Sequence, residues 1–283
     1  MSLGITLVPL PTHRLALSGG DLAYLDVAAA SSVGQAGGPA AATAVFVPGY
    51  TGSKEDFALL AAPVAAGGVR FVAIDQRGQF ESVGPDDPAT YRIAALAAEL
   101  NEFLTALGAG PVHLVGHSFG GLVARAAAIA EPGAVASLTL LGSGPAGLSG
   151  ARVDRMRALA PLLDSHGPEV LFDAILGRAS GTPDDELTAF LRRRFLASSL
   201  TALRVMGDEV VAEPDRIEEL RATGLPILVA CGEQDDAWDP PTQRSMAERL
   251  GAPFTVIAGA LHSPAAERPA ETARVLLDFW RGR

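Results

Sequence analysis

A serine hydroxyl attacks a carbonyl carbon only when its geometry and neighbours help it, and one serine of this chain has such neighbours. Ser118 stands in the run Gly116-His117-Ser118-Phe119-Gly120-Gly121. A short apolar run, Val112 to Val115, precedes it, and a helical pattern carrying Leu122, Val123 and Arg125 follows. A serine on such a strand-to-helix turn is held in a strained backbone conformation with its hydroxyl thrust outward. Glycine is expected at positions 116 and 120 because a side chain at either would crowd the Ser118 Cβ. The helix after the serine aims its free N–H groups and positive dipole end at any anion that forms there. A Gly-rich turn with a capping serine would use the same residues. What separates the two readings is whether the chain also supplies an oxyanion donor, an acid and a base.

The elements that must hold this turn alternate. Residues 14–17 and 22–27 read as a hairpin around Gly19-Gly20-Asp21. Residues 28–42, rich in Ala, Gly and Ser, read as a flexible surface connection. Strands are expected over 43–47, 69–74, 135–141, 227–231 and 254–257, and in the short apolar run that leads into the turn at Gly116. One intervening helix starts at Ser53, where Asp56 completes a capping-box-like pair. Another covers 89–107, with Ile93, Leu96, Leu100, Phe103 and Leu104 on one stripe and Gly108 at its end. Strands and helices in this order predict an α/β fold: a mostly parallel, doubly wound sheet with helices on both faces. Chemistry in such sheets sits at the carboxyl ends of the strands, where Ser118 stands.

The alternation stops over 148–221. There only helical spacing is visible, in Met156, Leu159, Leu162 and Leu163 and again in Leu187, Phe190, Leu191 and Phe195. The stretch is too long for a loop and has apolar faces of its own. The chain therefore divides into an α/β core, 1–147 with 222–283, and a helical insertion, 148–221. Arg192-Arg193-Arg194 reads as a solvated face of that insertion. The last helix sets Val275, Leu276, Phe279 and Trp280 against the sheet.

Composition narrows the class. The 283 residues carry a formal charge of −10, and Lys54 is the single lysine. That balance argues against nucleic acid or an anionic membrane surface as a partner. No apolar run reaches bilayer length, and Pro9 and Pro11 interrupt the apolar N-terminus, which makes a poor signal peptide. Cys231 is the sole cysteine, so no intrachain disulfide is possible and a reducing, cytoplasmic setting is expected. No Cys/His cluster has zinc-type spacing.

With its elbow, its alternating elements and its helical insertion, the chain resembles the α/β-hydrolase superfamily, in its capped, esterase-like serine-hydrolase branch. The resemblance implies that 148–221 is a cap over the active site. It picks Asp235 as the acid, from the G-x-x-D spacing of Gly232-Glu233-Gln234-Asp235, with Asp236 as runner-up. It puts the base after the acid. Of the five histidines only His262 stands there, on a loop after a strand. His13, His113 and His166 fall elsewhere, and His117 is expected to point away from Ser118. The oxyanion donors would be the N–H groups of Phe119 and of Tyr50, in Pro48-Gly49-Tyr50-Thr51-Gly52. Proline replaces the usual histidine at position 48, which removes a side chain but not the backbone donor. Asp75-Gln76-Arg77-Gly78 resembles the family's D-x-R-G loop, with Asp75 and Arg77 fixing the loop. Phe80, where glycine is common, and Trp238 would wall the substrate pocket.

The implied reaction is hydrolysis of a carboxylic ester, lactone or thioester through an acyl-enzyme, with a small-molecule substrate and neither metal nor cofactor. Carbon–carbon bond hydrolysis or cofactor-free perhydrolysis would use the same residues. A ligand receptor on the same scaffold would need no complete triad. Dehalogenases and epoxide hydrolases attack with aspartate, so the serine sets this chain apart from them.

Overall fold

The computed structural model describes residues 8–30, 41–176 and 185–282. Most of the expected connection at 28–42 lies outside them. Its sheet has eight strands: β1 (Thr12–Leu17), β2 (Gly20–Val27), β3 (Thr43–Val47), β4 (Arg70–Ile74), β5 (Val112–His117), β6 (Val135–Leu141), β7 (Ile227–Gly232) and β8 (Phe254–Ile257). They lie in the order β1-β2-β4-β3-β5-β6-β7-β8. β1 and β2 form an antiparallel hairpin, β2 pairs antiparallel with β4 on its other side, and the other pairings are parallel. Every residue of β3 and of β7 is buried. Such unbroken apolar runs suit central strands covered on both faces.

One face of the sheet packs against α2 (Ile93–Leu107), α3 (Phe119–Ala130), α7 (Ile217–Ala222) and α8 (Pro240–Leu250). The other packs against α1 (Ala58–Ala66) and α10 (Pro269–Arg281). The α2 stripe is buried as its spacing predicts, and the helix stops at Gly108 in the left-handed region at φ 64°. The helix expected from Ser53 opens as a 3₁₀ turn over Lys54–Phe57 and continues as α1. The Asp56 carboxylate accepts the Ser53 N–H there, at 3.2 Å. The short helix α9 (Pro264–Glu267) precedes α10.

Between β6 and β7 lie α4 (Ala151–Leu176), broken at Gly167, α5 (Glu186–Ala197), α6 (Leu200–Ala212) and α7. The first three build a small apolar cluster, Leu171, Phe172, Phe195 and Leu203. The main core takes in Ile217 and Leu220 of α7, and also Val153 of α4 and Ala202, Met206 and Val210 of α6. One buried side chain holds both ends of the α4–α6 segment. Arg125, inside α3, donates to the carbonyls of Gly144 and Pro145 on the way in. On the way out it bonds the Glu213 carboxylate at 2.8 Å and the Pro214 carbonyl at 3.4 Å. Arg194 corrects the sequence reading. It is not on a solvated face but pairs with Asp56 and lies over the Phe190 ring.

Candidate active site

Three strand ends meet at Ser118. It caps α3 with φ 53° and ψ −121°, a region that costs a non-glycine residue about 1–3 kcal/mol. The flanking glycines are required, but not by crowding against the Ser118 Cβ as expected. A Cβ on Gly116 would strike the Gly120 carbonyl and the Gly121 Cα, while one on Gly120 would strike the carbonyls of Val47 and Pro48. The elbow is tight because α3 starts against the end of β3. Gly49 extends that contact, since a Cβ there would lie 3.1 Å from the Ser118 Cβ.

Ser118 Oγ lies 2.9 Å from His262 Nε2, and His262 Nδ1 lies 2.8 Å from Asp235 Oδ1. A carboxylate only accepts, so Nδ1 carries the proton and Nε2 is free to accept the serine O–H. Asp235 is held from all sides. Its Oδ1 also accepts the Ala237 N–H at 3.0 Å, and Oδ2 accepts from Gln243 Nε2 at 3.0 Å. Its side chain is fully buried. Asp236 faces outward to Arg152, with its side chain 76% exposed. Chemically, this chain of groups can move a proton from a hydroxyl to an imidazole that a buried carboxylate orients.

Two supporting residues have no motif to announce them. Gln243, in α8, bonds both Asp235 and the Trp238 carbonyl, which ties the acid's loop to the helix after it. The other is His117, whose side chain reaches the histidine loop. Its ring lies 5.0 Å from that of His262, and Nε2 donates to the His262 carbonyl at 2.8 Å. Burial, together with the neighbouring His262, pushes its pKa down to about 4. A neutral, Nε2-protonated imidazole therefore braces the histidine loop. Cys231 is no rival nucleophile, because burial and the nearby Asp235 push its thiol up to about 12.

The remaining candidates divide. Phe119 follows Ser118 as the first residue of α3, and Tyr50 follows Gly49, whose backbone stands against Ser118. The Tyr50 hydroxyl donates to the Leu203 carbonyl of α6 at 2.9 Å, and its pKa rises to about 12 through burial and the charge of Asp208. Phe80 has φ 39°, a direct consequence of its standing where glycine would be at ease. Its ring meets Phe190 edge-on at 5.9 Å and the Lys54 ammonium at 4.8 Å. Trp238 is buried, with its indole N–H on the Ala146 carbonyl. As expected, Asp75 and Arg77 fix their loop. Asp75 accepts from Lys54, and Arg77 bonds Glu99 and three backbone carbonyls. Among the described residues no helix is long and apolar enough to cross a membrane.

Comparison with known proteins agrees with this architecture. A solved enol-lactonase from Burkholderia xenovorans LB400 superposes with a TM-score of 0.78 at 22% identity, over 95% of this chain and all of that one. That likeness is one of fold. A Bacillus subtilis protein provisionally named 2-succinyl-6-hydroxy-2,4-cyclohexadiene-1-carboxylate synthase is 25% identical over 86% of this chain and 92% of its own. A Variovorax paradoxus protein provisionally named as the carbamate hydrolase RutD is 38% identical, over 48% of this chain and about half, 51%, of its own length. The model of the alpha/beta hydrolase family matches residues 44–275. With that match across the sheet, the elbow and the loops that carry Asp235 and His262, the chain belongs to the α/β-hydrolase family.

Proposed function

We propose that this hydrolase cleaves a carboxylic ester, lactone or thioester through an acyl-enzyme on Ser118. One observation carries the reading: the unbroken hydrogen-bond chain Ser118–His262–Asp235, with contacts of 2.9 and 2.8 Å. His262 takes the serine proton as Oγ attacks the carbonyl carbon, and Asp235 stabilises the imidazolium. The N–H groups of Tyr50 and Phe119 receive the oxyanion, and each such donor is worth about 3–4 kcal/mol in the transition state. Protonated His262 then returns its proton to the leaving alcohol or thiol, and water repeats the sequence to release the acid.

Helices α4–α6 act as the cap. Support comes from their contacts with loops at the strand ends: Tyr50 on Leu203, Phe80 on Phe190, Arg194 on Asp56. Although most of α7 lies within 148–221, it packs against α3 and α8 and groups with the core. The cap's apolar cluster, with Tyr50 against it, favours an apolar acyl or alcohol group, and Phe80 and Trp238 complete the wall. The lone, buried Cys231 suits a cytoplasmic enzyme. Turnover of p-nitrophenyl esters of graded chain length, with lactones alongside, tests the reading. A substrate that the wild type hydrolyses and Ser118→Ala does not is the expected result. Equal turnover by both would overturn it.

A further inference from the structure

The Gly49 carbonyl and the Tyr50 N–H belong to one peptide unit. No described peptide bond is cis, so the two groups point in opposite directions. Whatever fixes the carbonyl therefore fixes the donor. Gly49 offers little resistance of its own, because it carries no side chain and glycine backbone turns freely. The restraint comes from another strand end. Gln79 Nε2 donates to the Gly49 carbonyl at 2.8 Å, and Gln76 Nε2 donates to the Pro48 carbonyl at 2.8 Å. Two successive peptide planes are thus pinned by two side-chain amides from the loop after β4.

Gln79 is itself firmly held. Its Oε1 accepts the Gln76 N–H at 3.2 Å, and its own N–H bonds the Gln76 carbonyl at 2.9 Å. The residues on either side, Gly78 at φ 80° and Phe80 at φ 39°, both take left-handed backbone. For Phe80 that conformation is costly, and the bend it makes accompanies a Gln79 that is 2% exposed. The Gly52 N–H also reaches the Gly49 carbonyl, at 3.0 Å. A carbonyl that accepts two hydrogen bonds polarises its peptide and makes the attached N–H a stronger donor.

We propose that Gln79 is a positioning residue for the oxyanion site: its amide, on the Gly49 carbonyl, aims and strengthens the Tyr50 N–H. The inference rests on the acyl-enzyme reading above and extends it to a residue two strands away from the nucleophile. The Gln79 side chain bonds the Gly49 carbonyl and the Gln76 N–H, so it reaches the oxyanion site through one peptide unit.

The test compares Gln79→Leu, which removes the amide, Gln79→Glu, which sets a carboxylate against the carbonyl, and Gln79→His, which restores a ring N–H at similar reach. The readouts are kcat and KM on p-nitrophenyl acetate, Ki for an alkyl trifluoromethyl ketone, and the thermal midpoint. The ketone forms a tetrahedral adduct on a serine and loads the oxyanion site. Misaiming one donor should cost less than deleting it, so Leu and Glu should lower kcat about 10- to 100-fold. KM should stay within about threefold, Ki should rise by the same factor as kcat falls, and His should recover most of the loss. A kcat within about twofold of wild type in the Leu and Glu variants overturns the proposal, as does a kcat loss without a matching rise in Ki. If Leu does not fold, Glu and His decide. If none folds, Gln79 serves folding alone and the proposal falls. Ser118→Ala, run alongside, separates the failures. Lost turnover there with unaffected Gln79 variants removes only this inference, whereas retained turnover removes the acyl-enzyme reading and this inference together.

Discussion

The sheet body and the α4–α6 segment are held by different physics. In the body, backbone does the positioning: parallel pairing of β3, β5, β6 and β7 brings their carboxyl ends to one edge. Ser118 and Asp235 then need only the local turn chemistry of the loops after β5 and β7. Among its described residues the segment has no strand in that sheet. Its α6 packs Ala202, Met206 and Val210 into the main core, and the Ser199 N–H bonds the Gly78 carbonyl at 2.8 Å; scattered side chains add to this, among them Arg125 at its neck, Arg194 on Asp56, and the Tyr50 hydroxyl on Leu203. A geometry fixed by a ladder of backbone bonds is expensive to move. One fixed by helix packing and scattered polar contacts can be retuned by single substitutions.

The largest effect should come from the body. Asp235→Asn leaves the His262 tautomer without its carboxylate and should lower turnover by about 10⁴. Asp236→Asn, at a side chain 76% exposed and paired with Arg152, should stay within about twofold. Steady-state kinetics on one ester checks both, and equal losses would dissolve the distinction between the two adjacent carboxylates.

Next comes the neck. Arg125→Met strands the Glu213 carboxylate, whose side chain is 8% exposed, and should cost about 3–5 kcal/mol. Adding Glu213→Gln should return part of that, because no orphaned charge remains. Urea unfolding measures both. A cost below about 1 kcal/mol would mean that the neck is not held by this pair.

How much of this could be read beforehand follows the same divide. The strands were legible because buried runs such as Val45-Phe46-Val47 and Leu228-Val229-Ala230 fit nothing else, and Ser118, Asp235 and His262 each follow one. Asp235 over Asp236 rested on spacing, and the structure turns Asp235 toward His262. The docking of the segment was not legible. Arg194 looks like any member of an arginine run, and only the three-dimensional approach of Asp56 gives it a partner. The contact of His117 with the histidine loop was not legible either, because its partner His262 lies 145 residues further along the chain. Gln79 and Gln243 act through backbone carbonyls and a carboxylate brought from elsewhere, and glutamine in a loop carries no signature of that.

His117 offers a smaller test within the body. Its pKa is about 4 in the fold, against an ordinary value of 6.5. The folded state therefore binds fewer protons than the unfolded one between these values. The stability due to neutral His117 is present above about pH 6.5 and is lost as pH falls toward 4. Between pH 7 and pH 4 the wild type should lose about 3 kcal/mol more than His117→Gln. Parallel curves would show that His117 does not resist protonation.

The smallest effects on stability belong to the segment. Tyr50→Phe removes the bond to Leu203 and should cost about 1 kcal/mol, and Arg194→Ala about 0–1 kcal/mol for a partly exposed pair. Both keep the Tyr50 N–H, so kcat on a short ester should change little. Relative kcat/KM between short and long acyl chains should change more. If neither substitution alters chain-length preference, the segment does not contribute to substrate choice.

The central claim is a covalent bond to Ser118, and intact-mass spectrometry with a fluorophosphonate probe tests it most directly. The wild type should gain one probe mass, with peptide mapping placing it on Ser118 rather than Ser143 or Ser263. Labelling should slow sharply in His262→Ala and vanish in Ser118→Ala. A probe mass retained by Ser118→Ala, or found on another residue of the wild type, would contradict the claim.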